Sequence, residues 1–429
     1  MTIARRKNGK IFYGWWVVLA AGVGLSLNIG SIIVSTFGVF FKPVSQEFGW
    51  SRAEVSLAFS LLALVWSGAG LVIGRLVDRF GARVVILPSV VLFGLGVLSL
   101  SSLSASLWHF YAIYLVLGVV GSGTAPIGYS KVISHWFDKR RGVALALTMA
   151  AGSIGTFLMA PVAQALVTAV GWREAYVALG LLTIVGPLPV VGLLLKESPQ
   201  LMGLAPDGVA RADAWSTSDD AQGRGLSRCE AWHSRSFWLM VGAFFLASMS
   251  FHGCFIHLVP LLTDRGLAPQ SAALAMSLAA TGSFVGRLGC GYLLDRIFAP
   301  YVAAGFFGAA ALGIGLLWSG VGGSLAFVAT MLLGLLVGAE LDLMAYMVSR
   351  YFGLRTFGEI YSYAVAAFAL GGSIGPLLMG VGFDATGSYR LVLGGLVVST
   401  LTAAGLLSRL GPYRVWELDV ESAAAAASF

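Results

Sequence analysis

Four ionisable residues stand inside long apolar stretches of the sequence: Lys131, Arg287, Glu340 and Asp342. A charge at the centre of a bilayer costs at least roughly 2.5–3.5 kcal/mol on insertion scales, so such a residue is expected to have a function. A guanidinium binds a carboxylate through two parallel hydrogen bonds and stays charged at any accessible pH. A carboxylate beside it takes up a proton more readily when another anion occupies the arginine. These residue types predict an anion site coupled to a proton site.

Arg287 has two interpretations. Its planar guanidinium group binds a substrate carboxylate, or it forms a structural ion pair with Glu340 or Asp342. We favour the first, because charge embedded in a membrane is functional by default. The two acids are about 200° apart around a helix and do not face the same point. Asp342 shares a face with Tyr346, which favours Asp342 slightly as the proton site, and Tyr346 as part of the substrate site.

Polar residues elsewhere leave alternatives open. Lys131, two residues after Tyr129, supplies a second substrate-binding cation or extends to the membrane interface. Asn28 and Tyr129 are further candidates for the substrate site, although Asn28 serves equally well to bridge helices. His252 and His257 are five residues apart and do not share a helix face, so we expect His257 near the outer mouth rather than in a proton relay.

Composition places these residues in a bilayer. Of 429 residues, 58% are hydrophobic and only 11% are charged, which exceeds what a water-soluble core buries. Apolar runs of about 20 residues cross roughly 30 Å of hydrocarbon. We predict an all-α membrane protein with twelve transmembrane helices. The runs lie at about 14–38, 54–74, 84–103, 109–133, 142–168, 173–194, 237–262, 271–293, 301–320, 325–348, 359–382 and 390–409.

Basic residues predict the orientation. They concentrate in alternate loops, as at Lys139 to Arg141, and the positive-inside rule then places both termini in the cytoplasm, with the chain in the cell (inner) membrane. The net charge of +7 therefore reflects membrane orientation and not nucleic-acid binding. The cysteines Cys229, Cys254 and Cys290 are scattered, so we expect no metal site and no cofactor.

The sequence contains an internal repeat. Gly74-Arg75-Leu76-Val77-Asp78-Arg79 returns as Gly291-Tyr292-Leu293-Leu294-Asp295-Arg296, and Gly152-Ser153-Ile154-Gly155 returns as Gly372-Ser373-Ile374-Gly375. Parallel repeats of six spans favour a substrate site between two halves. The predicted domains are an N-terminal six-helix half at 1–195, a cytoplasmic linker at 196–235, a C-terminal six-helix half at 236–410 and a cytoplasmic tail at 411–429.

The repeated loop predicts a conformational latch. Glycine allows helices to approach closely, aspartate caps or pairs at a helix end, and arginine stays at the membrane surface. The alternative is that the basic residues are ordinary positive-inside charges. The predicted latch residues are Gly74, Asp78, Arg79, Asp295 and Arg296.

The loop Gly74 to Arg83 resembles the signature of the major facilitator superfamily, and the resemblance covers nearly the whole chain. Within that superfamily the chain resembles the monocarboxylate and oxalate:formate branch, through Tyr13-Gly14-Trp15-Trp16 and through Trp136 to Gly155. The resemblance implies two rocking halves that carry a small organic anion. It also implies that an arginine on the eighth span binds this anion, and Arg287 occupies the matching position.

Two positions depart from that branch. The monocarboxylate carriers place an acid one helical turn before the arginine, where this chain has Ser283. The proton role then moves to the tenth span, or the carrier is not coupled to protons. The oxalate carrier has a lysine on the eleventh span, where this chain reads Ala364-Val365-Ala366-Ala367-Phe368-Ala369. A dicarboxylate held between two cations is therefore less favoured.

We predict a proton-coupled secondary transporter of small organic anions, of the monocarboxylate type, that works as a monomer in the lipid bilayer. No nucleophile elbow, phosphate loop or metal-ligand set indicates an enzyme. The alternatives are an organic anion exchanger, a proton-coupled exporter of drugs or metabolites, and a membrane sensor that does not transport. The exporter is less favoured because Gly152 to Thr156 lacks a proline after its second glycine.

Overall fold

The computed structural model describes residues 12–137, 140–208, 226–294, 296–320, 322–353 and 356–413. Within these ranges twelve helices are long and apolar enough to cross a membrane, which confirms the predicted fold class. We number them spans 1 to 12. Their bounds are Gly14–Phe48, Arg52–Phe80, Ala82–Ser102, Leu107–Trp136, Arg141–Val170, Trp172–Leu194, Arg235–Ile256, Pro269–Leu294, Ala299–Trp318, Ser324–Phe352, Glu359–Thr386 and Arg390–Ser408.

Span 1 is longer than predicted and is not a regular helix. It continues to Phe48, past the predicted end at about residue 38, and Lys42 in this continuation forms an ion pair with Asp264. Its middle contains a π-helical turn at Gly30–Val34. Such turns insert one extra residue into a helix and often mark functional sites.

The turn between spans 1 and 2 fixes where span 2 begins. Gly49 ends span 1 with φ +69, a left-handed conformation that favours glycine. Ser51 then caps span 2: its hydroxyl accepts from Glu54 N at 3.2 Å, while the Glu54 carboxylate accepts from Ser51 N at 2.8 Å. Arg52 is thereby held in the first turn of span 2.

The spans form two six-helix halves, 1–6 and 7–12. Between the halves, span 2 packs against span 11 and span 5 packs against span 8. We call the membrane side where span 1 begins and span 12 ends the terminal face, and the other side the opposite face. Short helices flank span 7, at Arg228–His233 before it and Leu258–Asp264 after it.

Spans 8 and 10 make a close helix contact because glycines line it. A Cβ on Gly282 or Gly286 would overlap a carbonyl oxygen of span 10, and one on Gly334 or Gly338 would overlap a carbonyl oxygen of span 8. Small residues let transmembrane backbones touch, and here they bring Arg287 against span 10.

The halves are joined at the opposite face. The hydrogen bonds and ion pairs between the halves join Lys42, Arg52 and neighbouring residues of spans 1 and 2 to the C-terminal half. One further hydrogen bond, nearer mid-membrane, runs from Ser277 Oγ to Phe157 O at 2.5 Å. In the described ranges no such bond joins the halves toward the terminal face. The structure is thus closed at the opposite face.

We expect Gly338→Ala to destabilise the protein, because its methyl group overlaps the Ser283 carbonyl oxygen. Overpacking of this kind costs about 1–3 kcal/mol. Gly289→Ala on span 8 is the matched control, since nothing lies within 4 Å of its Cβ. Thermal denaturation in detergent should show a lower apparent Tm for Gly338→Ala alone. Equal melting of the two variants would contradict the close contact.

Candidate functional site

Arg287 lies in the last third of span 8, and its side chain is 47% exposed. Its Nε is 3.5 Å from Asp342 Oδ2 and 3.5 Å from the Gly338 carbonyl oxygen, both long contacts. Among the residues that the structure describes, its two terminal nitrogens have no protein acceptor. The two parallel donors of the guanidinium are therefore available to a carboxylate.

The two acids of span 10 occupy different surroundings. Asp342 faces Arg287 and its side chain is 51% exposed. Glu340 is 4% exposed, and its Oε2 has no hydrogen-bond partner among the described residues. The helix period separates the two carboxyl groups as expected, and Asp342 is the one beside the guanidinium.

A cavity of about 140 Å³ lies between the halves, one helical turn from Arg287. The N-terminal half contributes two hydroxyl side chains to it and the C-terminal half contributes one hydroxyl and four apolar side chains. The volume equals about four or five water molecules at about 30 Å³ each, which suits a ligand with a short carbon body. The lining residues are Ser153, Thr156, Phe255, Ala279, Ala280, Ser283 and Val337.

Asn28 stands behind the wall of this cavity and not on it. Its Oδ1 accepts from Ser31 N at 3.0 Å, and the Ser31 hydroxyl is 3.3 Å from Thr156 Oγ1. Asn28 therefore connects to the cavity through two hydrogen bonds, next to the π-helical turn of span 1. Ser153 and Thr156 were not among the predicted site residues, although Ser153 belongs to the repeated glycine motif and Thr156 directly follows it.

Tyr129 lies in the core of the N-terminal half, with its side chain fully buried. A Cβ on Gly24 would overlap its hydroxyl oxygen, and that oxygen has no hydrogen-bond partner in the described part of the chain. The structure does not bring Tyr129 near Arg287.

Lys131 forms an ion pair within its own half. Its Nζ is 2.8 Å from Asp78 Oδ1 and donates to Val77 O at 3.0 Å. The pair joins spans 2 and 4 near the terminal face. A predicted substrate-binding residue and a predicted latch residue are thus partners, which their separation in the sequence did not indicate.

Tyr346 and the remaining latch residues lie toward the terminal face. The Tyr346 hydroxyl donates to Leu294 O at 3.4 Å, and the Arg350 guanidinium is 5.2 Å from the Tyr346 ring centre. Arg79 stacks on Phe80 at 5.2 Å, and Arg296 on Tyr292 at 3.7 Å. The predicted latch residue Asp295 lies outside the described residues.

The first repeated loop is held by a residue that we did not predict. The Glu197 carboxylate accepts from Ala82 N at 2.5 Å and from Arg83 N at 3.2 Å, beside Gly81 with φ +91. Gly74, by contrast, has no atom within 4 Å of a Cβ position. Gly74 therefore makes no close helix approach in this conformation, although span 4 contacts span 2 nearby at Val77 and Asp78.

Comparison with known proteins assigns the fold to a family. The sequence profile of the Major Facilitator Superfamily matches residues 23–376. The chain belongs to this superfamily. Its members in the comparison are transporters, so this multi-pass membrane protein is a transporter and not an enzyme.

Monocarboxylate transporter 11 of Homo sapiens is 29% identical to this superfamily member over 403 residues, which cover 90% of this chain and 81% of the relative. Among solved structures, the nucleoside transporter NupG matches with a TM-score of 0.73 at 12% identity, covering 92% of this chain and 99% of NupG. A bacterial homologue of the human lysosomal transporter Spinster matches with a TM-score of 0.64 at 17% identity, covering 93% of this chain and 95% of that homologue. The two structures support the fold alone.

We expect Glu340→Gln to leave the apparent Tm nearly unchanged at neutral pH. The Glu340 side chain is 4% exposed and its Oε2 has no hydrogen-bond partner among the described residues, so it is best accommodated as the neutral acid, which glutamine replaces at nearly equal volume. Loss of a buried, ionised pair would instead cost about 3–5 kcal/mol. Asp342→Asn is the matched control, because a half-exposed pair contributes about 0–1 kcal/mol. A large drop for Glu340→Gln would identify Glu340 as an ionised partner of Arg287.

Proposed function

We propose that this transporter carries small monocarboxylates across the membrane together with protons, by alternating access between its two halves. The observation that carries the proposal is the free fork of Arg287 next to a small cavity between the halves. Alternating access needs a site that both halves contact, and this cavity has walls from both. The name of the human relative, monocarboxylate transporter 11, supports the same substrate class.

The substrate carboxylate binds the terminal nitrogens of Arg287, and its carbon body enters the cavity beyond Ser283. Phe255 and the alanines offer that body an apolar surface, while Ser153 and Thr156 offer hydroxyl groups to a polar substituent. The cavity volume favours short aliphatic acids over aromatic ones. A lipophilic drug or a large metabolite needs a wider site, which makes the exporter the weaker candidate.

Asp342 carries the coupling proton in this proposal. Its carboxylate and the substrate carboxylate compete for the same guanidinium, 3.5 Å from Asp342 Oδ2. When the substrate occupies Arg287, Asp342 loses its counter-charge and the protonated form becomes more favourable. Anion binding and proton uptake then reinforce each other. Glu340 is the alternative proton site.

The basic loops orient the proposed carrier. Arg75, Arg79 and Arg83 lie at the terminal face, so the positive-inside rule makes that face cytoplasmic. The structure closed at the opposite face is then the inward-facing state. One chain contains both halves of the site, so we propose that the monomer is the functional unit.

We expect short aliphatic monocarboxylates to stabilise the purified protein through Arg287. Binding at 100 times Kd contributes about 2.7 kcal/mol to stability. Acetate, propionate, pyruvate, benzoate and oxalate are compared by thermal denaturation in wild type, Arg287→Ala and the exposed control Arg409→Ala. The short acids should raise the apparent Tm of wild type and Arg409→Ala, and leave Arg287→Ala unchanged. Equal stabilisation of Arg287→Ala would refute the assignment, and stabilisation by lipophilic cations alone would favour the exporter.

We expect proton coupling to depend on Asp342. In proteoliposomes with an inward proton gradient, wild type should accumulate a radiolabelled short monocarboxylate above its external concentration. Asp342→Asn should abolish this accumulation and retain exchange of labelled for unlabelled anion, because exchange requires no net proton movement. The same loss of accumulation in Glu340→Gln, and not in Asp342→Asn, would identify Glu340 as the residue that carries the coupling proton. No accumulation by wild type, with exchange intact, would indicate an anion exchanger.

A further inference from the structure

A second polar cluster lies at the opposite face, away from Arg287, and joins the two halves. Asp264, just after span 7, accepts from Lys42 Nζ at 2.6 Å and from Arg52 Nη1 at 2.7 Å. The Asp384 carboxylate at the end of span 11 accepts from the backbone N–H groups of Arg52 at 3.0 Å and Ala53 at 2.7 Å. The first residues of span 2 are thus held by two carboxylates of the C-terminal half.

His257 lies beneath this cluster, fully buried between the halves. Its Nε2 is 2.9 Å from Ser56 Oγ in span 2 and 3.0 Å from the Pro376 carbonyl oxygen in span 11. Its Nδ1 is 3.0 Å from the Tyr389 hydroxyl. One imidazole therefore bridges the N-terminal half to two elements of the C-terminal half.

The hydrogen bonds around the ring suit the neutral form with its hydrogen on Nε2. A carbonyl oxygen only accepts, so Nε2 carries the hydrogen toward Pro376 O. The Ser56 hydroxyl donates to Arg52 O at 2.6 Å and is therefore an acceptor toward Nε2. The Tyr389 oxygen accepts from Arg52, and with the ring hydrogen on Nε2 its hydroxyl donates to Nδ1. Nδ1 is then an acceptor, with no hydrogen of its own.

A proton on Nδ1 is poorly accommodated in this arrangement. It would meet the Tyr389 hydroxyl hydrogen, and after that hydroxyl turned away, two cations, Arg52 and His257, would share one phenol oxygen. The charged groups around the ring, Arg52 and Lys42 against Asp264 and Asp384, already balance. A charged imidazole adds an uncompensated buried charge, which costs several kcal/mol.

We infer that His257 is a proton-controlled lock of the opposite face: the neutral ring holds the halves together, and the protonated ring requires that face to open. Opening exposes the ring to water, where a histidine titrates at about pH 6.5. Acid on that side therefore shifts the population from closed to open. For the proposed carrier this links external acid to an outward-facing site.

The neighbouring groups do not titrate in the same pH range. Burial alone raises the pKa of Asp264, but the hydrogen bonds and charges of Arg52 and Lys42 outweigh it and hold that pKa below its ordinary value. The Asp264 ion pairs thus persist as pH falls to below an ordinary aspartate pKa of about 3.9. Burial also raises the pKa of the Tyr389 hydroxyl, although Arg52 opposes it, so Tyr389 keeps its proton.

The test measures the separation of the halves as a function of pH, without substrate, so it is independent of anion binding at Arg287. Spin labels are attached by Ala105→Cys in the loop after span 3 and Ser319→Cys after span 9, both exposed, once the three natural cysteines have been replaced. Electron–electron double resonance then gives the populations of short and long distances. With a ring that titrates only when open, the ratio of open to closed protein rises about tenfold from pH 7.5 to pH 5.5.

Two variants test whether the pH response arises from His257. His257→Gln keeps a donor and an acceptor and does not titrate, so its ratio should not change with pH. His252→Gln is the matched control, because His252 bonds within its own helix, to Ser248 O at 3.0 Å, and this variant should keep the tenfold response. A pH response that survives in His257→Gln would overturn the proposed lock. The absence of a pH response from the protein that retains His257 would also overturn it.

A third variant separates the effect of protonating His257 from the effect of its hydrogen bond to span 2. Ser56→Ala removes the contact between span 2 and Nε2 but leaves the imidazole in place. We expect more open protein at both pH values, with the tenfold factor retained. Loss of that factor in Ser56→Ala would show that the pH response does not reside in the His257 ring.

Discussion

The contact between spans 8 and 10 is the constraint on which the candidate site depends. Glycines on both helices remove the side chains that would keep the backbones apart, so Gly338 lies directly against Ser283 and the backbone of Arg287. In hydrocarbon a guanidinium needs a partner within reach, and this contact supplies both the Gly338 carbonyl oxygen and Asp342. The arginine is thereby oriented, while its terminal nitrogens have no acceptor among the described residues. A wider helix spacing would leave the charge unsupported.

The same contact explains how the departure at Ser283 is tolerated. An acid one turn before the arginine on span 8 and an acid on span 10 both reach the guanidinium when the two helices touch. Asp342 therefore stands where a carboxyl group at position 283 would also act. Ser283 in turn leaves a small hydroxyl side chain on the cavity wall, which a longer acidic side chain would fill.

The two faces of the membrane are stabilised differently. At the opposite face, partly exposed charged side chains and a buried imidazole join the halves, and breaking the contacts of the imidazole leaves an unpaired buried group. The described contacts of the repeated loop, such as Lys131 with Asp78 and Glu197 with the backbone after Gly81, remain inside one half. Polar contacts at the opposite face therefore have to exchange when the halves move, while those at the terminal face keep each half rigid.

The sequence by itself determined the class of protein and the number of spans, and it placed an arginine inside the eighth span, because apolar length and charge in hydrocarbon can be read from residue types alone. It did not determine which acid faces Arg287, that Lys131 pairs with Asp78, or that His257 bridges the halves. Those relations join residues far apart in the chain, and only helix packing sets their distances. The His257 ring contacts Ser56 and Pro376 together only because the two halves close around it.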